Sequence, residues 1–99
     1  MKERIAVVTK MPQAKPVIRV IENELYAFQK FVRGYIQAVP ASNGKVVICN
    51  EEGRINGMEY NCTFEGIDYY GPILVCGADG ENFADCPKEF REEIRRHNA

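Results

Sequence analysis

Apolar residues along this chain recur first with the period of a strand, then with that of a helix, then with that of a strand again, and this alternation predicts the elements. Ile5 to Val8 is a short apolar run in a basic frame and predicts a strand, which Pro12 and Pro16 forbid from continuing. Val17 to Ile21 resumes with β-branched residues around Arg19 that suit a pleated sheet, so the two runs predict a hairpin. At Asn23 the period changes. Leu25, Phe28 and Val32, with Phe31 beside them, line one face of a helix. Asn23 is placed to cap it, Glu24 suits its positive end, and Lys30 and Arg33 suit its negative end. Gly34 closes it as the left-handed residue.

Tyr35 to Val39 and Val46 to Cys49 follow, joined through Pro40, Ala41, Ser42, Asn43 and Gly44, whose turn chemistry predicts an antiparallel hairpin. Asn50 to Gly57 then combines several reasons for a turn with two carboxylates, a guanidinium and two carboxamides. In Met58 to Gly66 the residues Tyr60, Cys62 and Phe64 alternate with polar ones, a pattern that fits a short amphipathic strand or an irregular loop equally well. Gly66 to Pro72 leads into Ile73 to Cys76, which has no polar alternation and predicts a central strand buried on both faces. Gly77 to Gly80 reads as a turn, with Phe83 anchoring the loop after it. Pro87 opens a last helix, capped by Asp85 or Cys86, that shows only Phe90 and Ile94 to the core and frays beyond Arg96. The expected fold is α+β: a small, mainly antiparallel sheet covered on one face by a central helix, with a short C-terminal surface helix.

Ninety-nine residues predict a single domain over 1–99, and 45% hydrophobic with 27% charged residues is ordinary for a globular one. A formal net charge of −1 excludes a general polyanion binder. Charge is nonetheless graded. Residues 1–40 carry seven Lys or Arg against three acids, and residues 41–86 carry two against eight. This gradient means either a bipolar surface or solvated charges that pair in the fold. No run approaches the roughly 18 apolar residues of a membrane helix, and Met1 to Lys10 alternates charge with apolar residues instead of presenting a signal peptide. The expected location is therefore the cytoplasm, where Asn61-Cys62-Thr63 carries no glycan. Cys49, Cys62, Cys76 and Cys86 lack the close pairs of a zinc site, and the one histidine, His97, lies in the C-terminal tail, so no metal is expected. Cys49 and Cys76 lie in apolar runs and predict buried free thiols.

The order VIRVIENELYAFQKFVRGYIQAVP, VVICNEEGRINGMEYN and YYGPILVCGADGE resembles a family of small domains of unknown function found in phages, prophages and conjugative elements of Firmicutes. The residues that carry the resemblance are Gly34-Tyr35-Ile36, Asn50-Glu51-Glu52-Gly53, Asn61, Gly71-Pro72 and Gly77. It implies a setting in mobile elements, where small accessory proteins counter host defence or modulate host factors. It implies no activity.

The chemistry in the chain points to binding more than to catalysis. There is no GxSxG, no GxxxxGK[ST], and no carboxylate pair except Glu51 and Glu52, which would point to opposite faces on a strand. Neither catalytic residue nor cofactor is expected. Asn50 to Gly57 reads as a solvated turn, or as a recognition loop in which Arg54 engages a phosphate or carboxylate while Asn56 and Asn61 read amide or base edges. Tyr35, Tyr60, Tyr69 and Tyr70 read as core edges with wet hydroxyls, or as stacking platforms. The candidate ligand-binding set is Tyr35, Asn50, Arg54, Asn56, Asn61 and Tyr70. The leading expectation is a non-enzymatic accessory protein that sequesters a nucleotide-like signal used in host defence. The alternatives are a module that inhibits or adapts a host enzyme, and a nucleic-acid binder using Lys2, Arg4, Lys10, Lys15 and Arg19. The short first strands leave an open edge, which predicts a homodimer.

Overall fold

In the computed structural model, residues 3–98 are described, and their strands are β1 (Arg4–Lys10), β2 (Val17–Glu22), β3 (Ile36–Pro40), β4 (Lys45–Asn50), β5 (Tyr60–Phe64), β6 (Ile67–Tyr70), β7 (Ile73–Asp79) and β8 (Asn82–Ala84). Helix α1 (Leu25–Val32) follows β2, and α2 (Lys88–Asn98) ends the chain. The fold is α+β. Five strands stand in the order β2-β1-β7-β4-β3, all antiparallel, and β8 pairs with the far end of β7. β5 and β6 form a separate hairpin.

Strand alternation divides the core into two layers. One face of the sheet carries Ile5, Val7, Ile48, Leu74 and Cys76 against Phe28 and Val32 of α1. The other carries Val8, Val47, Cys49, Ile73 and Val75 against Tyr69 of β6, Cys86 and Ile94 of α2. The run Ile73 to Cys76 is buried throughout and lies between β1 and β4, as its unbroken apolar pattern predicts.

The sheet is covered on both faces, where the sequence pattern predicted one. The second cover is the β5–β6 hairpin with α2. Its turn consists of Glu65 and Gly66, both at positive φ (49° and 83°), a two-residue connection that normally shows Asn-Gly or Asp-Gly. That explains why the hairpin was not legible. Met58 to Gly66 resolves in favour of a strand, and part of Gly66 to Pro72 is a strand as well. β7 also runs through the expected turn at Gly77 to Asp79 and folds back at Gly80 (φ 63°) into β8.

The helices differ from expectation at their ends. Leu25 is exposed, because α1 begins there, at a margin beside Phe83, and the helix packs on β4 and β3. Phe31 packs on the core instead. The residue preceding α1 is Glu24, with no side-chain cap bond, while Asn23 donates to the Phe83 carbonyl at 2.8 Å and ties β2 to β8. Arg33, not Gly34, is left-handed (φ 67°, ψ 42°). Gly34 is needed for space, since a Cβ there would lie 2.7 Å from Asn50 Nδ2. Asp85 does not cap α2 but accepts from the Ala6 N–H at 2.8 Å, and α2 continues to Asn98, whose side chain bonds the Pro16 carbonyl at 2.6 Å. Phe90 and Ile94 face the core as predicted. No helix among the described residues is long and apolar enough to cross a membrane.

Candidate functional site

The chain leaves β4 at Asn50 and winds through successive tight turns to Met58. Gly53 N–H bonds the Asn50 carbonyl (3.3 Å), Asn56 N–H that of Glu52 (2.8 Å), and Met58 N–H that of Gly53 (2.9 Å). Gly57 takes positive φ (73°) to complete the reversal. Gly53 is buried against β6, where a Cβ would lie 2.7 Å from the Tyr70 carbonyl. This close approach seats the turn beside the hairpin. Between β3, the turn and β6 lies a cleft of about 260 Å³.

Three of the six candidate residues meet at this cleft: Asn50, Arg54 and Tyr70. The Arg54 guanidinium lies over the Tyr70 ring, 5.6 Å from its centroid, and that ring meets Tyr60 edge-on at 5.6 Å. Among the described residues no carboxylate lies within ion-pair distance of Arg54. Asn50 reaches the cleft with its hydrogen bonds committed. Its Nδ2 donates to the carbonyls of Val32 (3.0 Å) and Arg33 (3.2 Å) and its Oδ1 accepts from Glu52 N–H (2.8 Å), which satisfies the end of α1 and starts the turn.

The other three stand apart from the cleft. Asn61 is buried, donating to the carbonyls of Lys10 (2.8 Å) and Gly71 (2.7 Å) and accepting from Lys10 Nζ (3.1 Å), so it clamps the hairpin to β1. Asn56 is exposed on the turn. Tyr35 is 71% exposed, and its carbonyl accepts from Glu51 N–H at 2.9 Å.

Sequence reasoning did not single out Gln37, Asp68 or the buried Cys49 as lining this cleft, it had no ligand role for Glu51, and it named Tyr69 only as a core edge or stacking platform, outside the candidate set. Asp68 and Tyr69 lie on the strand that was not read, whereas Gln37, the polar residue inside an apolar run, was a signal available in the sequence. Burial pushes the Cys49 thiol above its ordinary value, and burial, followed by the neighbouring Cys49, pushes the Tyr69 hydroxyl up to about 12. The cleft floor is therefore uncharged at neutral pH. Its rim holds one guanidinium and two carboxylates. All four cysteines are free thiols, and among the described residues no three His, Cys, Asp or Glu side chains are grouped as metal ligands.

These features define a small α+β domain in which a cleft lies between sheet edge, turn and hairpin. The chain belongs to the family described as Domain of unknown function (DUF3846), whose model matches residues 1–99. No curated protein and no solved structure matches it.

Proposed function

We propose that this domain is a non-enzymatic accessory binding protein of a mobile element, which sequesters a nucleotide-like ligand in the cleft between β3 and β6. The observation that carries this reading is Arg54, a guanidinium over the Tyr70 ring at the cleft, 5.6 Å from its centroid, with no described carboxylate within ion-pair distance. Such a plane offers both a stacking surface and a fork of donors for a phosphate. Glu51 and Asp68 on the same rim suit the amino and hydroxyl donors of a base and sugar, and they repel a polyphosphate. The volume, about 260 Å³, falls just below the roughly 300 Å³ at which ordinary ligand pockets begin, so a single nucleotide unit fits better than an oligonucleotide. Cys49 on the floor is held protonated and has no histidine partner, which favours binding over nucleophilic catalysis. The likeness to domains of mobile elements supports the setting.

Titration calorimetry with mononucleotides and with linear and cyclic dinucleotides tests this. Binding by the wild type that Arg54→Ala removes is the expected result. Silence across the panel, or equal binding by the variant, would overturn it.

A second reading, a module that docks on a host enzyme, is favoured by Ile55, 83% exposed at the tip of the turn, and by Tyr35. Loss of a host partner in Ile55→Ser with nucleotide binding intact would select it. Nucleic-acid binding has less support. Arg19 is paired with Val7, on the α1 face of the sheet, while Arg4 falls with Val8 on the other, so these two do not share one stripe, and Lys2 lies outside the described residues.

A further inference from the structure

We propose that the outer edge of β2 is a self-association surface, on which a second copy of this chain extends the sheet antiparallel about a two-fold axis at Val20. The phase of the ladder decides which groups the edge offers. Asn23 N–H bonds the Glu3 carbonyl at 2.8 Å, and the register pairs Ile5 with Ile21 and Val7 with Arg19. Odd-numbered residues of β2 therefore turn their backbone groups toward β1. On β1 the even phase is used from the other side, since Ala6 N–H bonds Asp85 Oδ1 at 2.8 Å and the Ala6 carbonyl accepts from Cys86 N–H at 2.7 Å. Ile18 and Val20 point N–H and C=O away from the sheet, along an edge that no strand among the described residues covers.

The opposite edge is blunted and this one is not. On β3 the Tyr35 carbonyl accepts from Glu51, and Ala41 N–H donates to Lys45, so the outward residues are Ile36, Ala38 and Pro40. Pro40 has no N–H to offer. β2 carries no proline and no bulge, and exposed apolar residues stand on it and shortly after it: Val17 is 44% exposed, Val20 63%, and Leu25 and Tyr26, at the start of α1, 56% and 68%. An open apolar edge is a template for pairing. An identical antiparallel strand completes it by symmetry.

Charge selects the register. An axis at Arg19 would set guanidinium against guanidinium, whereas an axis at Val20 sets valine against valine and brings Arg19 opposite Ile21. Strand pairing alone buries less than the roughly 1,000 Å² of a specific interface, so Leu25 and Tyr26 are the natural supplement beside it.

Sedimentation equilibrium through the micromolar range tests the proposal, with hydrogen exchange on the same samples. The wild type is expected at twice the 11.3 kDa chain mass, with the Ile18 and Val20 amides gaining protection as concentration rises. Val20→Pro removes only an outward N–H, so it is expected to keep the β1–β2 ladder and sediment as one chain. Val20→Lys is the second variant, used where circular dichroism shows that proline disturbs the fold. A wild type that stays at one chain mass would overturn the proposal. So would a dimer that survives the folded variants, or protection arising on Ile36 and Ala38 instead.

Discussion

Arg54 and Asn50 are four residues apart on the same cleft, yet one is tied to the fold and the other is not. Asn50 donates to two backbone carbonyls at the end of α1 and accepts a turn N–H, so Asn50→Ala leaves buried polar groups unpaired and is expected to cost about 1–3 kcal/mol. Arg54 is exposed and makes one ring contact, so Arg54→Ala is expected to stay within about 0.5 kcal/mol of wild-type stability. Ligand binding should nonetheless weaken by about 1 kcal/mol or more, the order of a charge-assisted hydrogen bond. Chemical denaturation and calorimetry on the two variants separate these outcomes. A large stability loss in Arg54→Ala would make it a tether of the turn. Residue type alone did not distinguish the two roles, because both side chains are polar and lie in one turn-rich segment, and only the partner atoms differ.

Among the elements, those with unbroken patterns were legible and those defined by backbone conformation were not. The apolar run at Ile73 to Cys76 and the β1–β2 and β3–β4 hairpins were readable because periodicity and turn chemistry agreed. The β5–β6 hairpin was missed because its turn has Glu65 at a left-handed position. The cleft was half legible for the same reason, since one of its walls is β6. Of the residues that carried the family resemblance, Gly34, Asn61, Gly71 and Gly77 sit at contacts between elements, whereas Asn50, Glu51 and Gly53 also line the cleft. Gly77 shows such contact most clearly, since a Cβ there would collide with the Asp85 carbonyl. Gly77→Ala is expected to separate β7 from the segment that follows β8 and to cost about 1–3 kcal/mol, as overpacking does. A melting temperature equal to wild type would show that this segment yields freely. Element packing also governs the cysteines. All four are free, and Cys76 and Cys86 lie in different layers, so reducing agent is expected to leave the melt unchanged, whereas a disulfide would add about 2–4 kcal/mol.

At the scale of the whole molecule, burying acidic groups in both layers makes the fold sensitive to alkali. Burial pushes the Cys76 thiol from an ordinary 9.0 to about 12, with the nearby Cys86 adding to the shift, and pushes Cys86 to about 11. Tyr69 rises from 10.0 to about 12, again chiefly through burial. In each case the folded state holds its proton more tightly than the unfolded chain does. Above pH 9 the unfolded state therefore binds fewer protons than the native one, and the slope of unfolding free energy with pH is negative. The stability associated with these groups is complete below their ordinary values and is lost progressively as pH rises toward their folded ones. The exposed Glu65 acts in the opposite sense. Hydrogen bonds from Ser42 lower its carboxyl below the ordinary 4.5, so its contribution is present above that value and fades as pH falls. Thermal melts across the pH range are expected to show a plateau through neutrality and a decline that begins near pH 9, steeper than any change between neutral and weakly acidic pH. Cys76→Ala removes one of the titrating groups, so it should lower the melting temperature at neutral pH while making the alkaline decline shallower. A wild-type melt that stays flat well above pH 10, or a variant that declines as steeply as the wild type, would show that these thiols ionise without opening the core.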